Sequence, residues 1–472
     1  MYLNKNILIT VCLIFTNLIL ITPNSKGIEP RKGKKPNIIL INIDDMGWRD
    51  VGFMGSKYYE TPNIDKLAGK GMIFTNAYAA AANCAPSRAC LMSGEWPQRH
   101  GIYTVGNSDR GKSKDRKLIP ITNTITLPSD ILVFPELLHN AGYITCQAGK
   151  WHLSDSPLQF GFDLTIGGSH AGHPGSYYPP YKNVFIKEPI KKEYLTNLIM
   201  DKVLDFINLS SDKPFFLYYA TYAVHTPIQA IKELLPKYEQ KNEWNGQKNA
   251  AYATMVENVD AQIGRLVDLL EKTGKINNTF ILFTSDNGGV YNITKQWPLR
   301  AGKGSPYEGG IREPMFAYWK GKIPSGTKSE VPVTNIDFFP TILDVAGITP
   351  PAEKILDGKS ILPILTRNGS IDERPLFWHF PIYLQGGNKE SQDTIFRTRP
   401  GSSIRLGDWK LIQYFENNDL ELYNLKEDIG ERNNLAKSNP DKTNELLNLL
   451  TKWRKNTHAP VPTKLNPEFI TK

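Results

Sequence analysis

The fold of this chain is decided by a short stretch near its N-terminus, which reads NIILINIDDMG from residue 37 to residue 47. Its first seven residues are almost continuously apolar, which is typical of a strand buried on both faces of a parallel sheet. Two adjacent carboxylates, Asp44 and Asp45, follow where that strand is expected to end. In open α/β sheets, ligands bind at the carboxyl edge of the strands. The stretch therefore predicts an α/β domain with a charged site at one edge of its sheet.

The chain after this stretch alternates apolar runs of strand length with amphipathic runs of helical length. This pattern indicates a large, mostly parallel sheet flanked by helices on both faces. We predict further strands at residues 144–147, 215–220 and 279–284. The predicted helices are residues 63–70, 86–92, 133–141, 193–208 and 249–272. The last of these keeps an apolar stripe with the 3.6-residue period of a helix.

The pattern changes after residue 350 to short alternating strands, predicted at 403–406, 409–415 and 421–424, and a final helix at 441–454. We therefore expect a large α/β domain over residues 28–350. A smaller C-terminal subdomain, an antiparallel sheet plus a helix, is expected over residues 351–472. Two polar segments rich in turn residues, 106–117 and 386–393, are predicted to be surface loops.

The first 27 residues are predicted to be a signal peptide. An apolar run from residue 7 to residue 21 follows Lys5 and ends before Pro23 and a polar stretch, which is the organisation of an export signal. The run is shorter than the ~20 residues that a spanning helix needs. We therefore expect no stable membrane anchor and a mature protein that is periplasmic or secreted.

The amino-acid composition excludes several classes of protein. Of 472 residues, 40% are hydrophobic and 22% charged, which excludes disorder, collagen, coiled coils and polytopic membrane proteins. The formal charge of +9 falls only to +7 without the predicted signal peptide, and it is spread without a long basic tract. This favours an anionic substrate over nucleic acid as the partner. Four cysteines with no C-x2-C spacing exclude a disulfide scaffold.

A second group of polar residues follows the strand predicted at 279–284, where the sequence reads SDNGG from residue 285. Asp286 and Asn287 would join Asp44 and Asp45 at the same sheet edge. Three carboxylates and an amide oxygen are the hard-oxygen ligands of Ca²⁺ or Mg²⁺. Either motif alone would fit a helix cap or an Asp-Gly turn, but the two together favour a metal site.

A third element surrounds Cys84, where the sequence reads NCAPSRACLMSG from residue 83 to residue 94. Pro86 suits the first turn of a helix and Gly94 its end, so Cys84 would lie just before a helix N-terminus, where amide groups and Arg88 bind anions. Cys84 could be a nucleophile or a small buried hydrophobe. A soft thiolate is a poor neighbour for a cation with hard oxygen ligands, so an oxygen nucleophile would fit this place better.

These residues carry a family resemblance. The block around Cys84, CAPSR followed by SG at 93–94, resembles the signature of the formylglycine-dependent sulfatases of the alkaline phosphatase superfamily. Further blocks resemble that family in the same order: IDDMG at 43–47, GKWHL at 149–153, HTP at 225–227, SDNG at 285–288, GKG at 302–304, YEGG at 307–310 and LYNL at 422–425. The resemblance covers nearly the whole mature chain and identifies residues 28–350 as the catalytic domain.

The resemblance implies that Cys84 is oxidised to formylglycine by a separate maturation enzyme. It also implies one divalent cation per chain, usually Ca²⁺ with Mg²⁺ as the alternative. The ligands that correspond to the family pattern are Asp44, Asp45, Asp286, Asn287 and the modified Cys84. An oxygen on the modified residue would remove the mismatch between a soft sulfur and a hard cation.

The resemblance also implies the catalytic residues. Arg88 corresponds to the residue that positions the modified side chain, Lys150 and Lys303 to the lysines that hold the sulfate, and His152 and His225 to the catalytic histidines. In the implied reaction, a hydroxyl of the formylglycine hydrate attacks sulfur and His225, with Lys303, protonates the departing sugar oxygen. His152 then deprotonates the remaining hydroxyl, and sulfate is released.

Substrate contacts are predicted from a loop rich in glycine, histidine and tyrosine between residues 161 and 178. Aromatic and imidazole groups on a loop suit a sugar ring, and loops carry specificity. The predicted contacts are Ser169, His170, His173 and Tyr177, with His379, Arg399 and Arg405 as a second wall. Ordinary surface or packing roles are equally open for each. The resemblance to bacterial polysaccharide sulfatases implies a sulfated oligo- or polysaccharide, with galactose- or N-acetylgalactosamine-type sulfates preferred.

Two alternative functions remain open. The first is a phosphate mono- or diester hydrolase, because that activity also occurs in the superfamily; against it, only one metal cluster is predicted, and Lys150, His152 and Lys303 take places where a two-metal enzyme would have ligands. The second is a non-catalytic protein that binds sulfated glycans. Every predicted core position is intact in this sequence, which favours an enzyme.

Overall fold

The structure is a computed structural model that describes residues 34–181, 186, 193–210 and 213–470. The predicted signal peptide, residues 1–27, lies outside the described residues. Among the helices that the structure does describe, none combines the length and the apolar character needed to cross a bilayer.

The strands fall into a large sheet, a four-stranded sheet and a two-stranded hairpin. Within the described residues they are β1 (Asn37–Ile43), β2 (Met72–Tyr78), β3 (Ile144–Gly149), β4 (Leu164–Ile166), β5 (Phe215–Ala220), β6 (Thr279–Ser285), β7 (Arg312–Trp319), β8 (Thr327–Ser329), β9 (Val333–Thr334), β10 (Leu376–Phe380), β11 (Leu384–Gln385), β12 (Phe396–Thr398), β13 (Gly401–Leu406), β14 (Trp409–Tyr414) and β15 (Asp419–Asn424).

The large sheet has the order β4-β3-β5-β1-β6-β7-β2-β8, and β9 also pairs with β2. The neighbouring strands β4, β3, β5, β1 and β6 all run parallel to one another. Strand β7 is antiparallel to both of its neighbours, β6 and β2. Because β2 pairs in parallel with β8 and β9, β7 is the exception in an otherwise parallel sheet. The prediction of a large, mostly parallel sheet is confirmed.

Helices cover both faces of this sheet. The helices of the described residues are α1 (Pro62–Gly69), α2 (Cys84–Ser93), α3 (Pro97–His100), α4 (Phe134–Asn140), α5 (Leu195–Leu209), α6 (Leu235–Glu239), α7 (Ala250–Lys272), α8 (Glu308–Ile311), α9 (Phe338–Ala346), α10 (Leu362–Leu365) and α11 (Pro440–Asn456). Ile39 and Ile41 of β1 pack with α1, α5 and α7, while Ile38 and Leu40 pack with α2, α4 and α9. The apolar run of β1 is thus buried on both faces, as its sequence predicts.

The smaller sheet is antiparallel with the order β10-β13-β14-β15, which confirms the predicted C-terminal sheet and helix. Helix α11 packs on it through Leu446, Leu450 and Trp453. The Trp453 ring stacks on Phe377 at 4.5 Å between centroids and meets Trp96 edge-on at 5.8 Å. Trp96 precedes α3, so aromatic packing joins this sheet to the helices of the large domain. The boundary at residue 350 stays a prediction.

Candidate active site

Four adjacent parallel strands deliver polar residues to one edge of the large sheet. Lys150 directly follows β3, Asp44 follows β1 and Asp286 follows β6, while His225 lies in the loop after β5. The strand ends are in register, since Ile43 pairs with Ser285. The neighbouring β3 and β5 end level with each other in the same way. The sheet topology therefore brings together residues that are far apart in sequence, at the edge where α/β sheets bind ligands.

The close approach of β3 to β5 depends on Gly149. Its φ of 95° lies in the left-handed region, and a Cβ atom on this residue would lie 2.0 Å from the carbonyl oxygen of Ala220. The next residue, Lys150, donates its backbone N–H to the same carbonyl at 2.6 Å. A glycine is therefore needed for Lys150 to reach the site.

The candidate metal ligands present buried oxygen atoms that have no hydrogen-bond donor. Asp44 Oδ1, Asp45 Oδ2 and Asn287 Oδ1 are all in this state. Oxygen atoms of Asp44 and Asp286 lie with Cys84 Sγ within 4.8 Å of one another. Buried acceptors without a donor are costly, and a hard divalent cation binds such oxygens. The donor set therefore fits the predicted cation.

Three basic side chains neutralise the carboxylates. Lys150 Nζ lies 2.7 Å from Asp44 Oδ2, and Lys303 Nζ lies 2.6 Å from Asp45 Oδ1. Arg88 Nη2 lies 2.8 Å from an oxygen of Asp286. Burial nevertheless raises the pKa of Asp44 well above its usual range, and Lys150 opposes this shift only in part. The site therefore accommodates further positive charge.

Cys84 is the first residue of α2 and is 2% exposed. Helix α2 begins at Cys84, earlier than the predicted start at residue 86. It ends at Ser93, and Gly94 terminates it in the left-handed conformation, as its place in the sequence suggests. Burial opposes ionisation of the Cys84 thiol, but the ammonium groups of Lys150 and Lys303 outweigh it and hold the thiol pKa well below its ordinary value. The site therefore stabilises negative charge on the side chain at position 84.

Arg88 lies one helical turn after Cys84 and is fully buried. Its Nε donates to Asp286 at 2.9 Å and its Nη1 donates to the carbonyl oxygen of Lys150 at 2.9 Å. Nη1 also donates to the hydroxyl oxygen of Tyr218 at 3.4 Å. These contacts lock α2 to the ends of β3 and β6, so Arg88 has little freedom to reorient.

The two predicted catalytic histidines have opposite electrostatic settings. Burial lowers the pKa of His152 to about 4. Burial also disfavours the charged form of His225, but the Asp45 carboxylate, 3.6 Å from its Nε2, outweighs this effect and raises the pKa of His225. When two titratable groups have pKa values shifted in opposite directions, the group with the lowered pKa suits a general base and the group with the raised pKa suits a general acid. His152 is thus neutral at neutral pH, and His225 retains its proton more strongly than a free imidazole does.

A buried network supports the loop that carries Asp45 and was not predicted from the sequence. The Asp50 carboxylate accepts hydrogen bonds from Gly47 N at 2.8 Å, from the Tyr252 hydroxyl at 2.7 Å, from the Thr294 hydroxyl at 2.7 Å and from Gln296 Nε2 at 2.8 Å. Burial raises the pKa of Asp50 to about 6. The donors come from distant parts of the chain, so no local pattern could have identified them.

Two of the predicted substrate contacts lie beside His152. The carbonyl oxygen of Ser169 accepts the backbone N–H of His152 at 2.9 Å, and the His170 ring lies 6.2 Å from the His152 ring. Gly172 passes directly over the His152 ring, where a Cβ atom would approach to 2.8 Å. His173 is exposed and accepts a hydrogen bond from Gly175 N. The predicted loop thus covers one wall of the site.

The other predicted contacts are corrected by the structure. Tyr177 is fully buried, and its hydroxyl donates to the carbonyl oxygens of Tyr222 and His225, so it supports the His225 loop instead of facing a sugar. His379 is buried, with its ring nitrogens hydrogen-bonded to Ser402 and Pro460.

The two arginines predicted for the second wall are also engaged elsewhere. Arg399 forms ion pairs with Asp393 and Glu416. Arg405 is buried against Tyr78, to whose hydroxyl it donates. His379 and Arg405 thus have packing roles, whereas Arg399 is partly buried and ion-paired, and its contact with substrate stays a prediction.

Comparison with known proteins agrees with this geometry. The sequence model of the family described as Sulfatase matches residues 36–348. A second, described as N-sulphoglucosamine sulphohydrolase, C-terminal, matches residues 302–457. The two together span the described chain from the start of β1 to the end of α11.

Individual relatives show the same similarity. A protein named sulfatase from Formosa agariphila is 32% identical and covers 94% of this chain and 93% of its own. The human N-acetylgalactosamine-6-sulfatase is 34% identical over 73% of this chain and 68% of its own. Among solved structures, Ps i-CgsB is 33% identical with a TM-score of 0.74, and covers 92% of this chain and 95% of its own. It has also been solved in complex with k-i-k-neocarrahexaose.

Proposed function

We propose, from the premise that this chain belongs to the sulfatase family and is a sulfuric ester hydrolase, that its substrate is a sulfated carbohydrate of galactose or N-acetylgalactosamine type. The names of two relatives support this substrate class. One is an N-acetylgalactosamine-6-sulfatase and the other was solved with a bound neocarrahexaose. The names of the relatives as sulfatases favour an enzyme that cleaves sulfate esters over the phosphate-hydrolase and non-catalytic alternatives.

One observation carries the proposal for the reaction: two lysine ammonium groups converge on the side chain at position 84. The pKa of the Cys84 thiol is lowered by this arrangement against the effect of burial. The sulfur of Cys84 stands for the oxygen that the residue would carry after conversion to formylglycine by a maturation enzyme. The hydrated formylglycine would supply an oxygen nucleophile together with a second hydroxyl that allows sulfate to leave.

We propose that Asp44, Asp45, Asp286 and Asn287 hold one Ca²⁺, with Mg²⁺ as the alternative. The buried oxygen atoms that lack donors support this assignment. A divalent cation would act as a Lewis acid toward the oxygen at position 84 and offset charge on the sulfate. Since three carboxylates face three basic side chains in the described site, the added charge would suit an anionic substrate.

We assign the remaining catalytic roles to five side chains of this protein. Lys150 and Lys303 donate hydrogen bonds to sulfuryl oxygens and stabilise the charge that develops there. Arg88 fixes the position of residue 84 through its buried contacts. His225 protonates the sugar oxygen as it departs, which suits its raised pKa, and Lys303 assists. His152, neutral because of its lowered pKa, accepts the proton of the remaining hydroxyl.

We also propose that the mature protein is exported to the periplasm or beyond. The apolar run behind Lys5 and the break at Pro23 support this. N-terminal sequencing of the protein recovered outside the cytoplasm would test it, since an intact N-terminus on protein retained in the cytoplasm would contradict the proposal.

The reaction is tested by producing the chain with a formylglycine-generating enzyme. Mass spectrometry of the Cys84 peptide reports its conversion, and release of inorganic sulfate is measured from a panel of defined sulfated galactose and N-acetylgalactosamine saccharides. We expect sulfate release only from preparations that contain the converted residue. Activity restricted to aryl sulfates would contradict the carbohydrate assignment, and faster cleavage of a matched aryl phosphate would contradict the preference for sulfate.

A further inference from the structure

A further arginine, Arg397, lies near Lys303 at the edge of the active site. Arg397 comes from the middle of β12, and its stem covers Gly304, since a Cβ atom on this glycine would lie 3.2 Å from Arg397 Cδ. Arg397 Nε donates to the carbonyl oxygen of Gly386 at 3.1 Å. The neighbour of Gly304 is Lys303, which contacts both Asp45 and Cys84. The half-buried Arg397 is therefore held at the rim of the active site.

A second arginine reaches the same rim from the loop at residues 106–117. Asp109 pairs in parallel with Tyr383, just before β11, in an isolated bridge. Gly111 lies against the Phe396 ring, where a Cβ atom would approach to 2.7 Å. Arg110 lies between these two contacts and is half-buried. The loop thus packs on the hairpin formed by β11 and β12, which carries Arg397.

The acidic groups of this surface are engaged with other arginines. Asp109 lies 3.7 Å from Arg116. Asp393 and Glu416 both pair with Arg399. In the part of the chain that the structure describes, neither Arg110 nor Arg397 has a carboxylate within ion-pair distance.

The electrostatic setting of Arg397 shows what surrounds it. Burial lowers the pKa of Arg397, the Asp45 carboxylate opposes that shift and the Arg110 guanidinium adds to it. Arg397 is therefore within electrostatic range of both the Asp45 carboxylate and the Arg110 guanidinium. Two guanidinium groups that share no carboxylate repel each other, and an anion bound between them would remove this repulsion.

We infer that Arg110 and Arg397 form a binding site for a second anionic group of the substrate, a sulfate ester or a carboxylate on the sugar next to the one that carries the reacting sulfate. The inference rests on the proposed function, because the pair lies next to the lysine assigned to the reacting sulfate. Guanidinium groups bind both kinds of anion through paired hydrogen bonds. The chain would therefore prefer substrates with at least two negative charges.

Binding measurements separate this inference from the proposed reaction. In a Cys84→Ala background, the dissociation constants of three probes are measured by calorimetry: N-acetylgalactosamine 6-sulfate, its disaccharide with a hexuronic acid, and a disaccharide that carries two sulfates. We expect Arg397→Gln and Arg110→Gln each to reduce the preference for a doubly charged probe over the singly charged one by about tenfold, since one charge-assisted contact is lost. The effect should shrink as salt is raised.

The matched control is Lys112→Gln, which removes a positive charge from an exposed position on the same loop and should leave this preference unchanged. Arg397→Lys keeps the charge and should retain part of it. Loss with the disulfated probe alone assigns the site to sulfate, and loss with the hexuronate probe alone assigns it to carboxylate. Equal weakening of all three probes, or none, would overturn the inference. Absence of turnover by the mature wild-type enzyme would refute the proposed reaction and leave this binding comparison valid.

Discussion

The Nζ atom of Lys303 lies 3.1 Å from the sulfur atom of Cys84. This contact places a positive charge next to the atom that would carry negative charge during the reaction. We expect Lys303→Met to lower kcat/KM for a sulfated saccharide by about 10²- to 10³-fold, the range for loss of one group that stabilises a developing anion. Steady-state kinetics would check this, with the exposed Lys322→Met as the control. Activity within a few-fold of wild type would show that Lys303 does not act on the transition state.

Replacement of Cys84 separates attack on sulfur from release of sulfate. Cys84→Ser provides a hydroxyl for attack but lacks the second hydroxyl needed to expel sulfate, so we expect no more than one turnover per active site. Rapid-quench kinetics and the mass of the peptide that contains the substituted position would detect a single transferred sulfuryl group. Cys84→Ala should show neither turnover nor a mass change. Sustained turnover by Cys84→Ser would falsify the proposed chemistry.

Cation binding should be visible without any measurement of activity. Because Asn287 Oδ1 is buried without a donor, we expect Ca²⁺ to raise the melting temperature, in line with about 2.7 kcal/mol of added stability at a concentration 100 times the Kd. Asn287→Ala should reduce this increase. The matched control is Asn277→Ala at an exposed position, which should preserve it. Melting temperatures that do not change with Ca²⁺ or Mg²⁺ would contradict the metal site.

The proposed role of His225 as general acid would depend on the leaving group. A sugar alkoxide needs protonation as it departs, whereas an acidic phenol does not. We therefore expect His225→Asn to lower kcat/KM much more for a sulfated sugar than for a nitrophenyl sulfate. In the wild type, the rate with the sugar should decline as pH rises through the raised pKa of His225, and this decline should vanish in the variant. Equal losses on both substrates would assign His225 a role other than general acid.

The free energy of unfolding at acidic pH should depend on the buried position of His379. Burial lowers the pKa of His379 to about 3, from the ordinary 6.5. As the pH falls below 6.5, the unfolded chain takes up a proton that the folded chain resists, so the free energy of unfolding decreases until about pH 3. We expect His379→Phe to flatten this dependence between pH 6.5 and 4, measured by urea unfolding. The exposed His458→Asn is the control, and an unchanged slope in His379→Phe would contradict the prediction.

Much of the framework could be predicted because it is encoded locally. The bounds of β1 and β5 match the prediction, since both strands are continuous apolar runs buried on two faces. Strand β7 was not predicted, because it is fully buried yet begins with arginine, glutamate and proline. Strand β2 was also missed; it has a partly buried pattern. These two segments form strands because they pair with neighbouring strands of the sheet. Such long-range pairing cannot be recognised from the local sequence.

In the active site, too, some residues could be predicted from local sequence, whereas others depend on contacts between distant parts of the chain. Asp44 and Asp286 could be predicted because each follows a continuous apolar strand, and parallel strands end at a common edge. Lys150 was identified only from the family resemblance of the GKWHL block. Arg397 was not predicted, because only the folded hairpin places it against Gly304, next to Lys303. Arg399, which was predicted, pairs instead with Asp393 and Glu416. His379 was misjudged because its hydrogen-bond partners come from β13 and from the segment after α11. Such partners are visible only once the chain is folded.

The burial of Cys84 limits when the proposed maturation of this residue could take place. The residue is 2% exposed in the folded chain, at the start of a helix whose residues are all buried. A second enzyme could not reach this side chain without unfolding α2 and the strand ends that surround it. The proposed conversion to formylglycine would therefore have to happen while the chain is still extended, before the sheet closes over residue 84. Once folded with an unmodified thiol, a molecule would remain inactive, and its share of the population would be fixed during synthesis.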